Sequence, residues 1–461
     1  MDSKEETIAA IATPPGVGGI GIIRISGYNA ENIAKKVFRS KRPINTFTGF
    51  RLYLGHIIDP KSGITVDEVL LSLMRAPRSY TREDVVEINS HSGYTILSTI
   101  LEIVLQAGAR LARPGEFTLR AFMNGRIDLT QAEAIVDLIN AKGDTSIQLA
   151  ARQLTGGLGK RIAELRQVVI RILAQIEASL DFPDEESTAP DRSHLKDQIA
   201  DTALKPVEEL LSACAQRKVW HEGFEVVIVG RVNVGKSSIL NRLSQQDKAI
   251  VTPIPGTTRD VLEAMVSIQG LPVKLIDTAG MREVKGQIEK KGVELTENHL
   301  ALADITMLVI DRSRPLNRHD IDLIRKVDSH NTVLVINKID LPRRVGKKRL
   351  DTLIHSLTKV EVSALTGEGF PGLLQAIYDK IMSKTTALTP APVVPNVRHK
   401  MLLTKASNHL KDASRNLLSG SPLEFVATDL MWAIHAFDEI TGNKIDEEIL
   451  DAVFSDFCLG K

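Results

Sequence analysis

The stretch EVVIVGRVNVGKSS (225–238) constrains this chain more than any other. Apolar residues Val226 to Val229 run without alternation into Gly-x-x-x-x-Gly-Lys-Ser, and a helical pattern follows. Such a run reads as a strand buried on both faces, which implies a parallel sheet covered by helices. Gly230 and Gly235 let the backbone curl so that its N–H groups face phosphate oxygens. Lys236 neutralises the β- and γ-phosphates, and the Ser237 hydroxyl ligates Mg²⁺. Val234 and Ser238 complete the expected phosphate-binding turn.

Three further elements follow in order. PGTTRD (255–260) offers Thr258 as a second hydroxyl ligand for Mg²⁺. DTAG (277–280) supplies Asp277 for the metal shell and the Gly280 N–H for a γ-phosphate. NKID (337–340) places Asp340 where its carboxylate accepts from both N–H groups on the guanine edge, a pattern adenine does not present. Asn337 and Lys338 buttress the base and the phosphate loop, and VSAL (362–365) places Ser363 and Ala364 as a backbone clamp on the guanine oxygen. The set points to GTP as substrate. One departure stands out. Signalling GTPases of the Ras type carry a water-orienting Gln after the DTAG turn. Here the residue is Met281, whose thioether donates no hydrogen bond and accepts only weakly.

The surrounding chain is organised differently. Residues 1–118 hold short apolar runs broken by turns, GIGIIRIS (19–26), FRLYLGHII (50–58), DEVLLSLM (67–74) and DVVEIN (84–89), read as strands, and a helix over 95–108. They form an α+β domain. From 119 to 220 the period becomes helical: Leu158, Ile162, Leu165, Val169, Ile172, Ile176 and Leu180 make one apolar stripe. DFPDEESTAPDR (181–192) breaks it, and a second helix is expected from His194 to Trp220. Residues 221–382 alternate strands (EVVIVG, VKLIDTAG, ITMLVID, TVLVINKID, KVEVSA) with helices, and 383–461 return to helical spacing after a Pro- and Thr-rich linker. The class expected is multidomain α/β: an N-terminal α+β domain, a helical bundle, and a Ras-like phosphate-loop domain inserted into it. The basic run PRRVGKKR (342–349) reads either as a solvated loop or as an RNA contact.

Bulk properties narrow the class. With 58 Lys and Arg against 57 Asp and Glu, a nucleic acid would need a local patch rather than net charge. Two cysteines, Cys214 and Cys458, exclude a disulfide scaffold and suit a reducing cytoplasm. No signal peptide and no membrane-spanning apolar run are read.

Beyond the nucleotide motifs, ATPPGVGGIGIIRISG (12–27), RPGEFTLRAFMNGRIDLTQAEAI (113–135), DFPDEE (181–186) and the ending FCLGK (457–461) resemble the MnmE (TrmE) family of tRNA wobble-uridine modification GTPases. The resemblance covers essentially the whole chain. It implies a folate-binding, dimer-forming N-terminal domain, and a homodimer that joins the FAD-dependent protein MnmG (GidA) in a heterotetramer acting on tRNA. It implies potassium in place of an arginine finger, held by Asn233 and by Thr252, Ile254 and Thr257. Among these, Thr252 and Thr257 also border the GTP site. The family's water-orienting Glu maps by spacing to Glu289, with Glu283 the competing acid. A tetrahydrofolate, 5-formyl or 5,10-methylene, is expected at Arg24, Glu87, Arg126 and Lys461. Position 126 departs from the family's Lys, so a planar fork replaces a point charge. Read from the residues alone, Arg24 either lines a pocket or is a surface strand cation. Cys458 reads either as a nucleophile or a partner contact near the folate pocket, or as part of a frayed tail, and Cys214 is core. The activity implied is GTP hydrolysis that regulates modification of uridine carbon 5 with a folate one-carbon unit. The alternative is a GTP-dependent RNA- or ribosome-binding switch.

Overall fold

Period-two and period-3.6 patterns along this chain separate into two sheets and a set of long helices in the computed structural model. It describes residues 6–14, 16, 18–40, 44, 46–141, 143–181, 191–217, 220, 223–246, 262–277, 303–346, 350, 357–384, 393–455 and 457–461. Contacts divide the chain into two units. The first comprises Met1–Val136, Gln153–Leu204 and Lys405–Lys461, and the second Asp137–Arg152 and Lys205–Thr404.

In the first unit the strands are β1 (Ile8–Ile11), β2 (Gly21–Ser26), β3 (Phe38–Ser40), β4 (Leu52–Ile58), β5 (Thr65–Met74), β6 (Val85–Ser90) and β7 (Arg110–Leu111). They form one sheet in the order β3-β4-β5-β6-β2-β1-β7, antiparallel except for the β1–β7 pair. Two helices, α1 (Ala30–Val37) and α2 (Tyr94–Gln106), share a core with the sheet. That is why β2 alternates: Ile23 and Ile25 are fully buried in this core, while Arg24 between them faces away. Each such aliphatic side chain contributes about 1.5–3 kcal/mol on burial. Short β1, β3, β7 and α1 fall outside the strands and helix expected from sequence, because runs of two to eight residues give little periodicity to read.

Helices α3 (Glu116–Met123), α4 (Leu129–Asn140), α5 (Asp144–Leu154) and α6 (Gly157–Asp181) follow. The buried stripe Leu158, Ile162, Leu165, Val169, Ile172 and Ile176 spans α6. The expected helix from 194 to 220 is observed as α7 (Arg192–Ile199), a π-helical turn (Ala200–Leu204) and α8 (Lys205–Arg217). The widened turn precedes Pro206, which has no N–H to donate and whose ring would crowd the carbonyl four residues back.

The second unit contains β8 (Phe224–Val229), α9 (Lys236–Gln246), β9 (Leu262–Ile268), β10 (Leu271–Asp277), β11 (Ile305–Asp311), α10 (Arg318–Lys326), β12 (Thr332–Asn337), β13 (Thr358–Glu361) and α11 (Phe370–Lys384). Its sheet runs β13-β12-β11-β8-β10-β9, parallel except for the β9–β10 hairpin. Strands β11 and β12 are buried along their whole length, as two-sided cover requires. β9 was not foreseen. It is the antiparallel edge, joined to β10 through Gln269 and Gly270, both at positive φ as a tight right-twisted hairpin needs. From β8 the chain builds outward to β10 on one side and to β11 on the other. The loop after β8 therefore opens at the switch point where ligands bind in such sheets.

Helices α12 (Val397–Leu418), α13 (Leu423–Thr441) and α14 (Glu447–Ser455) end the chain. In the first unit α13 packs along α6, and Arg166 is held to buried Asp438 by hydrogen bonds of 2.7 and 3.2 Å.

Candidate functional site

The phosphate loop joins β8 to α9. Gly230 and Gly235 both take positive φ, and Asn233 adopts 64°, unusual for a residue with a side chain. A Cβ at Gly235 would run into the Asn337 side-chain nitrogen, so glycine there permits the loop to pack on that residue. Lys236, 5% exposed, donates from Nζ to the Gly230 and Arg231 carbonyls at 2.9 Å each. The loop thus positions the ammonium at its own rim. Ser237 donates its hydroxyl to Asp277 Oδ2 at 2.6 Å, which brings together two oxygens of the expected Mg²⁺ shell. Val234 is buried and Ser238 exposed on the first turn of α9.

The NKID turn is tied to this loop twice. Buried Asn337 donates from Nδ2 to the Val234 carbonyl at 2.8 Å and accepts from the Ala364 N–H at 3.1 Å. Lys338 donates to the Asn233 carbonyl at 2.9 Å and to Asp311 Oδ2 at 2.7 Å. Asp340 accepts from the Ser363 hydroxyl at 2.5 Å and remains exposed, so its carboxylate has room for a further donor. Together the two turns can hold a base between Asp340 and the 363–366 backbone, with phosphates on the loop below. The Ser363 and Ala364 N–H groups, expected from the sequence to clamp the guanine oxygen, instead donate to the Glu368 carbonyl and to Asn337 Oδ1, which leaves the Leu365 N–H as the open donor of this turn among the described residues.

Two residues of this arrangement were missed in the sequence. Asp311, at the end of β11, is nearly buried. Burial alone would raise its pKa, but the Lys338 ammonium and the Ser313 donors outweigh it and hold the carboxyl below its ordinary value. Its position at the C-terminal end of a buried parallel strand was the available signal. Arg242 on α9 donates to the carbonyls of Ala364, Leu365 and Thr366. Nothing in a lone arginine on a helix announces that. Thr252, Ile254, Thr257, Thr258, Gly280, Met281, Glu283 and Glu289 lie outside the described residues.

In the first unit, Arg24 and Glu87 are register partners on β2 and β6. The guanidinium donates from Nε to Glu87 at 2.9 Å, and its second nitrogen lies at the same distance from that carboxylate. Its remaining nitrogen donates to the Gly460 carbonyl at 3.2 Å, and its carbon stands 5.4 and 5.7 Å from the ring centres of Tyr80 and Phe117. Arg126 covers the Tyr80 ring at 4.7 Å and donates to the Tyr80 carbonyl. The C-terminal tail is therefore docked: Phe457 is buried, and Gly460 lies so near the Ile11 carbonyl that no Cβ would fit. Lys461 bonds back to the Cys458 carbonyl, while Cys458 is exposed and Cys214 buried. Tyr80 and Phe117, the aromatic part of this cluster, were also missed.

Comparisons with known proteins cover the same regions. A family model described as the MnmE helical domain matches residues 129–458, and one described as GTP-binding protein TrmE N-terminus matches 7–126. A protein of Geobacillus kaustophilus named tRNA modification GTPase MnmE is 43% identical over 458 residues, covering 99% of each chain. Proteins of the same name from Lactiplantibacillus plantarum and Carboxydothermus hydrogenoformans are 42% and 44% identical, over 99% of this chain and 98% and 100% of theirs.

Proposed function

Because this chain belongs to the MnmE family of tRNA modification GTPases, we propose that its GTP hydrolysis is activated by potassium and regulates, with the FAD-dependent partner MnmG, modification of wobble-uridine carbon 5 from a folate one-carbon unit. The observation that carries the nucleotide part is the convergence of Ser237 on Asp277 and of Asn337 and Lys338 on the phosphate loop. Lys236 and the loop N–H groups bind the phosphates, Ser237 and Thr258 ligate Mg²⁺, and Asp340 selects guanine.

Asn233 fits a potassium ligand. Its side chain is exposed and bonded to no described residue, while its backbone is fixed by Lys338. With Thr252, Ile254 and Thr257 it would hold the ion, which supplies fixed positive charge beside the transferring phosphoryl group. Glu289 orients the attacking water in this reading, since Met281 cannot. The Arg24–Glu87 pair and the Arg126–Tyr80 stack offer planar and charged faces suited to a pterin, with Lys461 nearby in the docked tail. The homodimer is supported by exposed Leu52, Leu54 and Leu70 on β4 and β5, where Leu54 and Leu70 stand opposite each other. The domain boundaries proposed are 1–118, 119–220, 221–382 and 383–461. Among the described residues no helix is long and apolar enough to cross a membrane. The cytoplasmic placement rests on the two free cysteines, which suit a reducing compartment.

The decisive measurement is phosphate release from GTP by the purified chain in potassium against sodium at matched ionic strength. Faster release in potassium is expected; equal rates would sink the ion's role. Titration with 5-formyltetrahydrofolate tests the N-terminal site in parallel, and absence of binding would sink the folate part of this reading.

A further inference from the structure

We propose that Arg242 is a positioning residue for base selection, orienting one peptide group so that its N–H meets the 6-oxygen of guanine. The proposal rests on the guanine-nucleotide reading above and names a residue that reading does not use. Arg242 lies on α9, about one and two-thirds helical turns beyond Lys236. Its guanidinium donates to the carbonyls of Ala364 at 3.0 Å, Leu365 at 2.9 Å and Thr366 at 3.0 Å, so three successive carbonyls turn toward it. The buried Phe370 ring backs the guanidinium at 5.8 Å.

In a trans peptide the N–H of one residue points opposite to the C=O of the residue before it. Drawing the Ala364 carbonyl to Arg242 therefore aims the Leu365 N–H away from Arg242. The next two N–H groups are taken: Thr366 donates to the Ser363 hydroxyl and Gly367 to the Ser363 carbonyl. That of Leu365 has no partner among the described residues, and Leu365 itself is 78% exposed. The other side of the turn is fixed by Asn337 on Ala364 and by Ser363 on Asp340. An open donor thus lies two residues beyond Ser363, whose hydroxyl bonds the carboxylate that reads the neighbouring edge of the base. A planar fork can serve three carbonyls at once, and a lysine ammonium cannot do so in the same geometry.

The test is competition against labelled GDP on the full chain, for wild type, Arg242→Ala and Arg242→Lys, with three ligands. GDP presents every group; IDP keeps the 6-oxygen but lacks the 2-amino group; 6-thio-GDP keeps both donors read by Asp340 but replaces the 6-oxygen with a poor acceptor. Arg242→Ala should weaken GDP and IDP by about tenfold each, and 6-thio-GDP by less than about twofold. Arg242→Lys should recover little, and it carries the same comparison if the alanine variant does not fold. An equal penalty for all three ligands, or none for GDP, overturns the proposal, because a mere structural prop would not distinguish the 6-position. A wild-type chain without preference for GDP over ADP would instead sink the guanine-nucleotide reading itself.

Discussion

Ser237 on the first turn of α9 and Asp277 at the end of β10 are joined by a 2.6 Å hydrogen bond. Two oxygen ligands suited to a hard divalent ion thus lie side by side, with the hydroxyl already aimed. Ser237→Ala should lower GTP turnover by about a hundredfold and raise the Mg²⁺ concentration needed for half-maximal rate. GDP affinity without Mg²⁺ should change by less than about threefold. A Mg²⁺ titration of turnover checks this, and an unchanged midpoint would remove Ser237 from the metal shell.

Asp340 presents two acceptor oxygens, one of them already serving Ser363. Asp340→Asn exchanges an acceptor for a donor. GDP should bind about tenfold to a hundredfold more weakly, since a hydrogen bond to a charged group is lost. XDP, which carries an oxygen where guanine has its 2-amino group, should gain. Competition binding with the two nucleotides reads the reversal directly.

The Lys338–Asp311 pair makes stability depend on acid. The Asp311 carboxyl titrates below its ordinary value in the folded chain. A depressed pKa contributes stability that is present above the unfolded value and is lost as pH falls through the folded one. Asp311→Asn should therefore lower the melting temperature at pH 7 and reduce its fall between about pH 4 and the lowered folded value. Melting curves across that range, for both proteins, decide it.

Asn233 serves the ion in this reading, whereas Lys236 and Asp340 serve the nucleotide. Asn233→Ala should abolish the stimulation of turnover by potassium while GDP affinity stays within about threefold. If the variant is stimulated as strongly as wild type, the amide is no ligand. The companion variant Glu289→Ala should reduce turnover far more than GTP binding, and Glu283→Ala should not.

Arg24 holds both Glu87 and the tail at Gly460. Arg24→Ala should weaken 5-formyltetrahydrofolate by at least about tenfold, because a charge-assisted contact is lost. It should also speed removal of Lys461 by a carboxypeptidase, as the tail loses its anchor. Unaltered trimming would show that Phe457 alone keeps the tail in place.

How legible all this was depends on chemistry residue by residue. Strands β8, β11 and β12 were plain because burial on both faces leaves uninterrupted Val and Ile. LEAMVSI of β9 was not, since Glu263 and Ser267 interrupt an edge strand that needs only one covered face. The motif residues Lys236, Ser237, Asn337 and Asp340 declared themselves by order and spacing. Arg242 and Tyr80 did not, because each acts through a partner far off in sequence, on which a local pattern carries no information, and Asp311 was signalled only by its place at the C-terminal end of β11. Arg24 was ambiguous until its register with Glu87 was known.

One consequence follows from the two side chains that tie the NKID turn to the phosphate loop, Asn337 through the Val234 carbonyl and Lys338 through that of Asn233. Neither half of the pocket can settle without pulling on the other. Guanosine and inorganic tripolyphosphate offered as separate fragments should therefore each bind poorly, yet each should improve the other's grip. The intact nucleotide collects that mutual gain in a single encounter.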